Sequence, residues 1–277
     1  MYGSFFIQQY LNNGYELEEA TGEVNFAIDI LFGYSEKDFI LGKTLNENEI
    51  SKLQDVVTER LNTHRPLQQI LGKAYFFGRK FFVNEYTLIP RPETEILVDE
   101  ILKLKQLPAH IKVLDIGAGS GCIPVTLAIE NPNIIAHSVD ISTEAIKIAQ
   151  KNADFYKVSD KISFFESDLF ENVEEKYNII VSNPPYIPLK DKPDLQIEVR
   201  DFDPAEALFT KDEDGIEFYE KIISQAHNYL LENGWLCFEL GQEQSQLVQN
   251  ILRRNNYRNI KVVKDLSNIE RILIAQK

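Results

Sequence analysis

From residue 111 onward the chain alternates short apolar runs with segments of helical period, and this alternation restricts its fold more than any other feature. Residues 111–115, 134–140, 162–165, 177–181 and 235–240 read as buried strands. Residues 121–130, a segment opened by Ser142 as its N-cap, residues 216–231 and residues near 242–253 read as the helices between them. Strand followed by helix, repeated, predicts an α/β fold with a mostly parallel sheet covered on both faces. The last two runs, near 260–263 and 271–274, have no helix between them, so they are expected to form an antiparallel hairpin at the edge of the sheet.

The first seventy-odd residues have a different texture. Val24, Ala27, Ile28 and Leu31 recur at helical spacing, as do Ile50, Leu53, Val56, Val57 and Leu61 before Pro66. Aromatic, β-prone residues over 75–89 are interrupted by Gly78-Arg79-Lys80 and suggest a linking hairpin. Pro90-Arg91-Pro92 then fixes the backbone ahead of Glu93-Thr94-Glu95 and an apolar helix. The expected organisation is a small helical domain over 1–74, a linking β-hairpin over 75–89 and an α/β catalytic domain over 90–277.

Composition removes several classes of function. The formal net charge is −14. Nucleic-acid binding draws much of its strength from Lys and Arg neutralising phosphates, so a nucleic-acid partner is not expected. Two cysteines and four scattered histidines give no metal-ligand spacing, so no metal site is expected. No run approaches the length of a membrane span, and no leader is recognised at the N-terminus, which points to a cytoplasmic protein without membrane association. Gly42-Lys43-Thr44 is not a phosphate loop, because position 37 is Lys where that pattern needs Gly.

Chemistry concentrates at two strand ends. Asp115-Ile116-Gly117-Ala118-Gly119-Ser120-Gly121 follows the first strand, and its glycines allow a ligand to approach the backbone and the following helix N-terminus. Asp140 closes the second strand, where a carboxylate can accept both hydroxyls of a ribose. The glycine spacing is not that of the dinucleotide fingerprint, and Asp115 just before it suits a cationic amine better than a pyrophosphate. S-adenosylmethionine, with its ammonium group, is therefore the expected cofactor. Asp168 and Leu169 after the third strand fall where an acid and an apolar side chain would flank adenine.

At the end of the fourth strand stands Asn183-Pro184-Pro185-Tyr186. The prolines stiffen the turn and carry no N–H, which leaves the Asn183 and Pro184 carbonyls to face a ligand. Together with the Asn183 side-chain oxygen they make acceptors for a planar NH₂ group, and Tyr186 is expected to offer a face for stacking. Asn183, Pro184 and Tyr186 are the expected catalytic residues, with Pro185 completing the substrate clamp. A clamp for NH₂ admits an amide or the amino group of adenine or guanine, so an amino-methyltransferase of nucleic acid is the competing reading.

Pro66-Leu67-Gln68-Gln69-Ile70-Leu71-Gly72, Pro90-Arg91-Pro92-Glu93-Thr94-Glu95, the glycine turn and Asn-Pro-Pro-Tyr together resemble the bacterial release-factor glutamine methyltransferase family over essentially the whole chain. The resemblance implies a class I, Rossmann-like S-adenosylmethionine-dependent methyltransferase domain preceded by a helical substrate-recognition domain. It implies methylation of the glutamine side-chain nitrogen in the Gly-Gly-Gln motif of class-1 peptide chain release factors. Carried over, Asp115, Gly117, Ala118, Gly119, Ser120, Gly121, Asp140, Asp168, Leu169 and Asn183 would bind the cofactor. The sequence departs from the family pattern at Asp203, where Glu commonly precedes Pro, and at Leu169, where an aromatic residue is frequent.

Overall fold

The computed structural model describes residues 3–105 and 107–277. The chain divides into two compact units, one running to Lys73 and taking in Ile197–Phe202, the other comprising Ala74–Gln196 and Asp203–Lys277.

The larger unit is built on a seven-stranded sheet: β1 (Ile111–Ile116), β2 (Ile134–Asp140), β3 (Ile162–Glu166), β4 (Tyr177–Ser182), β5 (Leu230–Glu239), β6 (Arg258–Lys264) and β7 (Glu270–Gln276). Their spatial order is β6-β7-β5-β4-β1-β2-β3. The five strands from β5 to β3 pair in parallel, whereas β7 runs antiparallel to both β5 and β6. The expected terminal hairpin is present, but only β6 lies at the edge. The final strand inserts between β5 and β6.

Strand periodicity sorts the core onto the two faces. Val113, Ile179, Cys237 and Ile274 pack into one apolar cluster with Leu97, Val98 and Ile101 of helix α1 (Pro92–Leu102). Their immediate neighbours Leu114, Ile180, Leu236 and Leu273 pack on the other face with Ile222 and Ile223. Helices α2 (Cys122–Glu130), α3 (Thr143–Phe155), α4 (Glu217–Tyr229) and α5 (Ser245–Arg254) supply the rest of both layers. Ser142 caps α3 as expected, accepting a hydrogen bond from the Ala145 N–H at 3.2 Å.

The aromatic stretch forms a tighter hairpin than its 75–89 span suggests, with strands Lys73–Phe76 and Arg79–Phe82. Phe77 and Gly78 turn it with φ of 51° and 70°, both left-handed, the requirement of a two-residue turn of this hand. Asn152 of α3 fixes it in place. Its fully buried carboxamide exchanges hydrogen bonds with both backbone groups of Phe82 and donates to the Ser120 carbonyl at 2.8 Å.

The smaller unit holds helices Gly3–Asn12, Leu17–Phe32, Glu36–Ile40, Glu47–Thr63 and Leu67–Leu71. Phe6, Tyr10, Val24, Ile28, Leu53, Val57 and Leu67 form its core. The segment Ile197–Phe202 joins this unit through polar contacts. Buried Arg60 pairs with Glu23 at 3.2 Å and with Glu198 at 3.0 Å, and the Gln69 amide donates to the Phe202 carbonyl at 2.9 Å. Among the described residues, no helix is long and apolar enough to cross a membrane.

Candidate active site

The glycine turn leaves β1 in a conformation that ordinary side chains resist. Gly117, Gly119 and Gly121 have φ of 87°, 52° and 75°. The Gly117 and Ala118 N–H groups donate to the Val139 carbonyl at 2.8 and 2.9 Å, which folds the turn over the end of β2. Gly121 is fixed by packing as well, since a Cβ there would stand 2.9 Å from the Ala149 Cβ of α3. Two side chains complete the frame. Asp140 accepts from the N–H groups of Gly119 at 2.8 Å and Ser142 at 2.9 Å, and the Ser182 hydroxyl donates to the Ile116 carbonyl at 2.7 Å.

A cavity of about 450 Å³ opens over these strand ends, well within the range of ligand-binding clefts. Gly117, Ala118, Gly119, Ser120, Asp140, Asp168, Leu169, Asn183, Pro184 and Pro185 all line it. The topology thus brings together, from four different strand ends, most of the residues singled out from sequence. Leu169 takes φ of 51° at its wall. The Asn183 carbonyl oxygen lies 4.0 Å from the point where a Cβ on Gly117 would stand, so the proline turn and the glycine turn share one corner of the cavity.

Three expected site residues stand elsewhere. Gly121 lies outside the cavity lining and serves the packing of α2 on α3. Asp115 has no exposed surface and is absent from the lining; its Oδ2 accepts from the Ser138 hydroxyl at 2.6 Å, while Oδ1 has no hydrogen-bond partner among the described residues. Burial raises its pKa to about 8, which favours the neutral acid over a carboxylate facing an ammonium group. Tyr186, expected to offer a stacking face, also lies outside the lining and packs against the apolar cluster on the α4 face. Its mould is tight: a Cβ on Gly241 would come within 3.0 Å of the ring, and one on Gly215 within 2.2 Å of the Tyr186 carbonyl. Gln244 staples this region by donating to the Tyr186 carbonyl at 2.8 Å and accepting from the Gly241 N–H at 3.0 Å.

The structure adds residues that sequence reasoning passed over. Thr94, near the start of α1, lines the cavity, donates to buried Glu239 at 2.5 Å and accepts from the Asn183 side-chain amide at 3.3 Å. Arg91, also on the wall, forms an ion pair with buried Asp203, so the shorter acid at 203 still engages a cavity residue. Phe218 and Ile222 of α4 supply apolar wall, and Lys211 and Lys221 add positive charge near Glu206 and Glu217. Thr94 and Arg91 belong to the Pro-Arg-Pro-Glu-Thr-Glu stretch, whose polar residues were the available signal. Glu239 ends an apolar strand and gives no such signal.

Burial raises the Glu239 pKa to about 7, against the hydrogen bond from Thr94, which pulls it down. The folded state therefore holds the proton more tightly than the unfolded chain does. Unfolding gains from ionisation as pH rises from about 4.5 to 7, and stability falls across that window before levelling off. Glu239→Gln removes this liability. Its stability relative to the parent is expected to rise by about 2–3 kcal/mol between pH 4 and pH 8. Denaturant unfolding at the two pH values measures the change, and a difference independent of pH contradicts it.

A doubly wound sheet with a glycine turn, with Asp140 and Asn183 at the adjoining strand ends, has the fold of a class I, Rossmann-like methyltransferase. The family described as "Methyltransferase small domain" matches residues 92–202. The chain is 40% identical over 243 residues to a release factor glutamine methyltransferase of Flavobacterium psychrophilum, covering 85% of this chain and 84% of that protein. It is 36% identical to one of Bacteroides thetaiotaomicron, covering 98% of each. Among solved structures, a methyltransferase from Pyrococcus furiosus superposes with a TM-score of 0.56 at 17% identity, covering 82% of this chain and 98% of that one. The hMettl16 catalytic domain, solved in complex with a MAT2A 3′UTR hairpin, superposes with 0.59 at 17%, covering 90% of each. These two likenesses establish the fold alone. The sequence relationships establish the family: the chain belongs to the release factor glutamine methyltransferases and is an enzyme.

Proposed function

We propose that this enzyme transfers a methyl group from S-adenosylmethionine to the side-chain nitrogen of the glutamine in the Gly-Gly-Gln motif of class-1 peptide chain release factors. The observation that carries this reading is the shared corner of the cavity, where Asn183 and Pro184 meet the glycine turn.

The cavity residues suit the cofactor. Each Asp140 oxygen accepts one backbone N–H and keeps lone pairs for a ribose hydroxyl. The left-handed glycines leave open backbone beside the N-terminus of α2, and Asp168 with Leu169 offers an acceptor and an apolar surface for adenine. When bound, the cofactor supplies a methyl group on a sulfonium, already an excellent leaving group, so no strong general base is required.

What the protein must supply is orientation. An amide nitrogen is a poor nucleophile because its lone pair is delocalised into the carbonyl. Asn183 Oδ1 and the Pro184 carbonyl accept the two N–H bonds of the glutamine and turn its lone-pair direction toward the methyl group. The nitrogen gains the methyl carbon and releases one N–H proton to solvent water, while the electrons of the broken S–C bond remain on sulfur. Fixed acceptors of this kind contribute through both alignment and electrostatics. Asp115 and Tyr186 support this corner from behind the wall in this reading. The helical unit supplies the grip on the release factor, a partner too large for one pocket to recognise.

The test is transfer of labelled methyl from S-adenosylmethionine to a purified release factor and to its Gly-Gly-Gln→Gly-Gly-Ala variant. Label is expected on the first only. Equal labelling of both, or labelling of DNA or RNA instead, overturns the proposal.

A further inference from the structure

Among the described residues, buried Glu239 reaches the acceptor corner through Thr94 and has no task in the proposed transfer. It is 2% exposed at the end of β5, beside the end of β4, where Ser182 and Phe238 are paired. Its backbone is held by the Tyr219 hydroxyl, which donates to the Glu239 carbonyl at 2.9 Å. An apolar residue would fill this position at less cost, because a carboxyl group out of water must be compensated by hydrogen bonds.

The direction of the hydrogen bonds shows what the carboxyl group does. The Thr94 hydroxyl has a single proton, and with Glu239 ionised that proton goes to Oε2 at 2.5 Å. Toward Asn183, 3.3 Å away, the Thr94 oxygen can then only accept. The end of the carboxamide facing Thr94 must be its NH₂, which leaves Oδ1 for the other side. Were Thr94 free to donate toward Asn183, the amide could turn over and oppose its own NH₂ to that of a substrate. We propose that Thr94 and Glu239 are positioning residues that fix the Asn183 carboxamide with its oxygen toward the cavity. This rests on the reading of Asn183 Oδ1 as the acceptor for the glutamine amide.

Two measurements test it. In kinetics with a release factor, Thr94→Val, nearly isosteric but without the hydroxyl, is expected to lower kcat about 100-fold, the scale of a lost or misaligned polar group. KM for the release factor and the Kd for S-adenosylmethionine should each stay within about threefold, on the scale set by contacts left intact. Thr94→Ser should restore most of the rate. Thr94→Ala, which adds no bulk, carries the same expectation as valine should that variant fold poorly. In protein labelled with ¹⁵N-asparagine, the Asn183 side-chain amide signal, assigned by its loss in Asn183→Ser, should exchange with solvent slowly in the parent and rapidly in Thr94→Val. A Thr94→Val enzyme with unchanged kcat, or an Asn183 signal indifferent to Thr94, overturns the proposal. Should the parent fail to methylate a release factor while the amide signal still depends on Thr94, the substrate reading falls and the positioning role stands.

Discussion

Asn183→Ala is expected to lower methyl transfer to a release factor by about 10³-fold, the upper scale for removing one preorganised polar group at a reacting centre. The substitution deletes the side-chain acceptor but leaves the Asn183 backbone carbonyl beside Gly117 and the stiff diproline turn unchanged. The glutamine nitrogen would then be held by the Pro184 carbonyl alone, and its lone pair would no longer be aimed. Cofactor affinity should stay within about threefold, because Asp140 and the glycine turn are untouched. Titration calorimetry alongside single-turnover kinetics separates the two effects. A large loss of cofactor affinity with the single-turnover rate preserved contradicts the assigned role.

Asp140→Ala is expected to act in the opposite way, weakening S-adenosylmethionine binding by about 100-fold through the loss of two charge-assisted hydrogen bonds. The same carboxylate also holds the Gly119 and Ser142 N–H groups, so the alanine variant loosens the glycine turn as well. Asp140→Asn discriminates between the two contributions, since its carbonyl retains one acceptor; an intermediate loss of about tenfold is expected. Calorimetric titration with S-adenosylmethionine measures both variants. An Asp140→Ala enzyme that binds the cofactor as tightly as the parent removes Asp140 from the site.

Much of this site was legible because chemistry at the end of a parallel strand leaves local marks. The glycines at 117, 119 and 121 announce positive φ, and Asn183-Pro184-Pro185 announces a stiff turn, without reference to anything distant in sequence. What escaped was determined by side-chain parity and by strands meeting from far apart. Asp115 and Ile116 are adjacent, yet only Ile116 lines the cavity, because successive strand residues point to opposite faces. Tyr186 looked available for stacking, but Gly215, Gly241 and Gln244, all remote in sequence, close around it. Glu239 reads as the end of an apolar strand, and its meaning depends on Thr94, 145 residues earlier. The same holds for the fold. Alternation predicted the parallel sheet, whereas the insertion of β7 between β5 and β6 follows from long-range pairing. The attachment of Ile197–Phe202 to the helical unit rests on Arg60 and Gln69, which no local pattern links to that segment.

If the acceptor corner delivers a glutamine amide nitrogen to the methyl donor, the modified atom can be located directly. A purified release factor is incubated with the enzyme and S-adenosylmethionine, digested, and its Gly-Gly-Gln peptide sequenced by tandem mass spectrometry. One added methyl group on the glutamine side chain, absent when Asn183→Ala replaces the parent enzyme, is the predicted result. An unmodified glutamine, with the methyl group on another residue or on no part of the release factor, contradicts it.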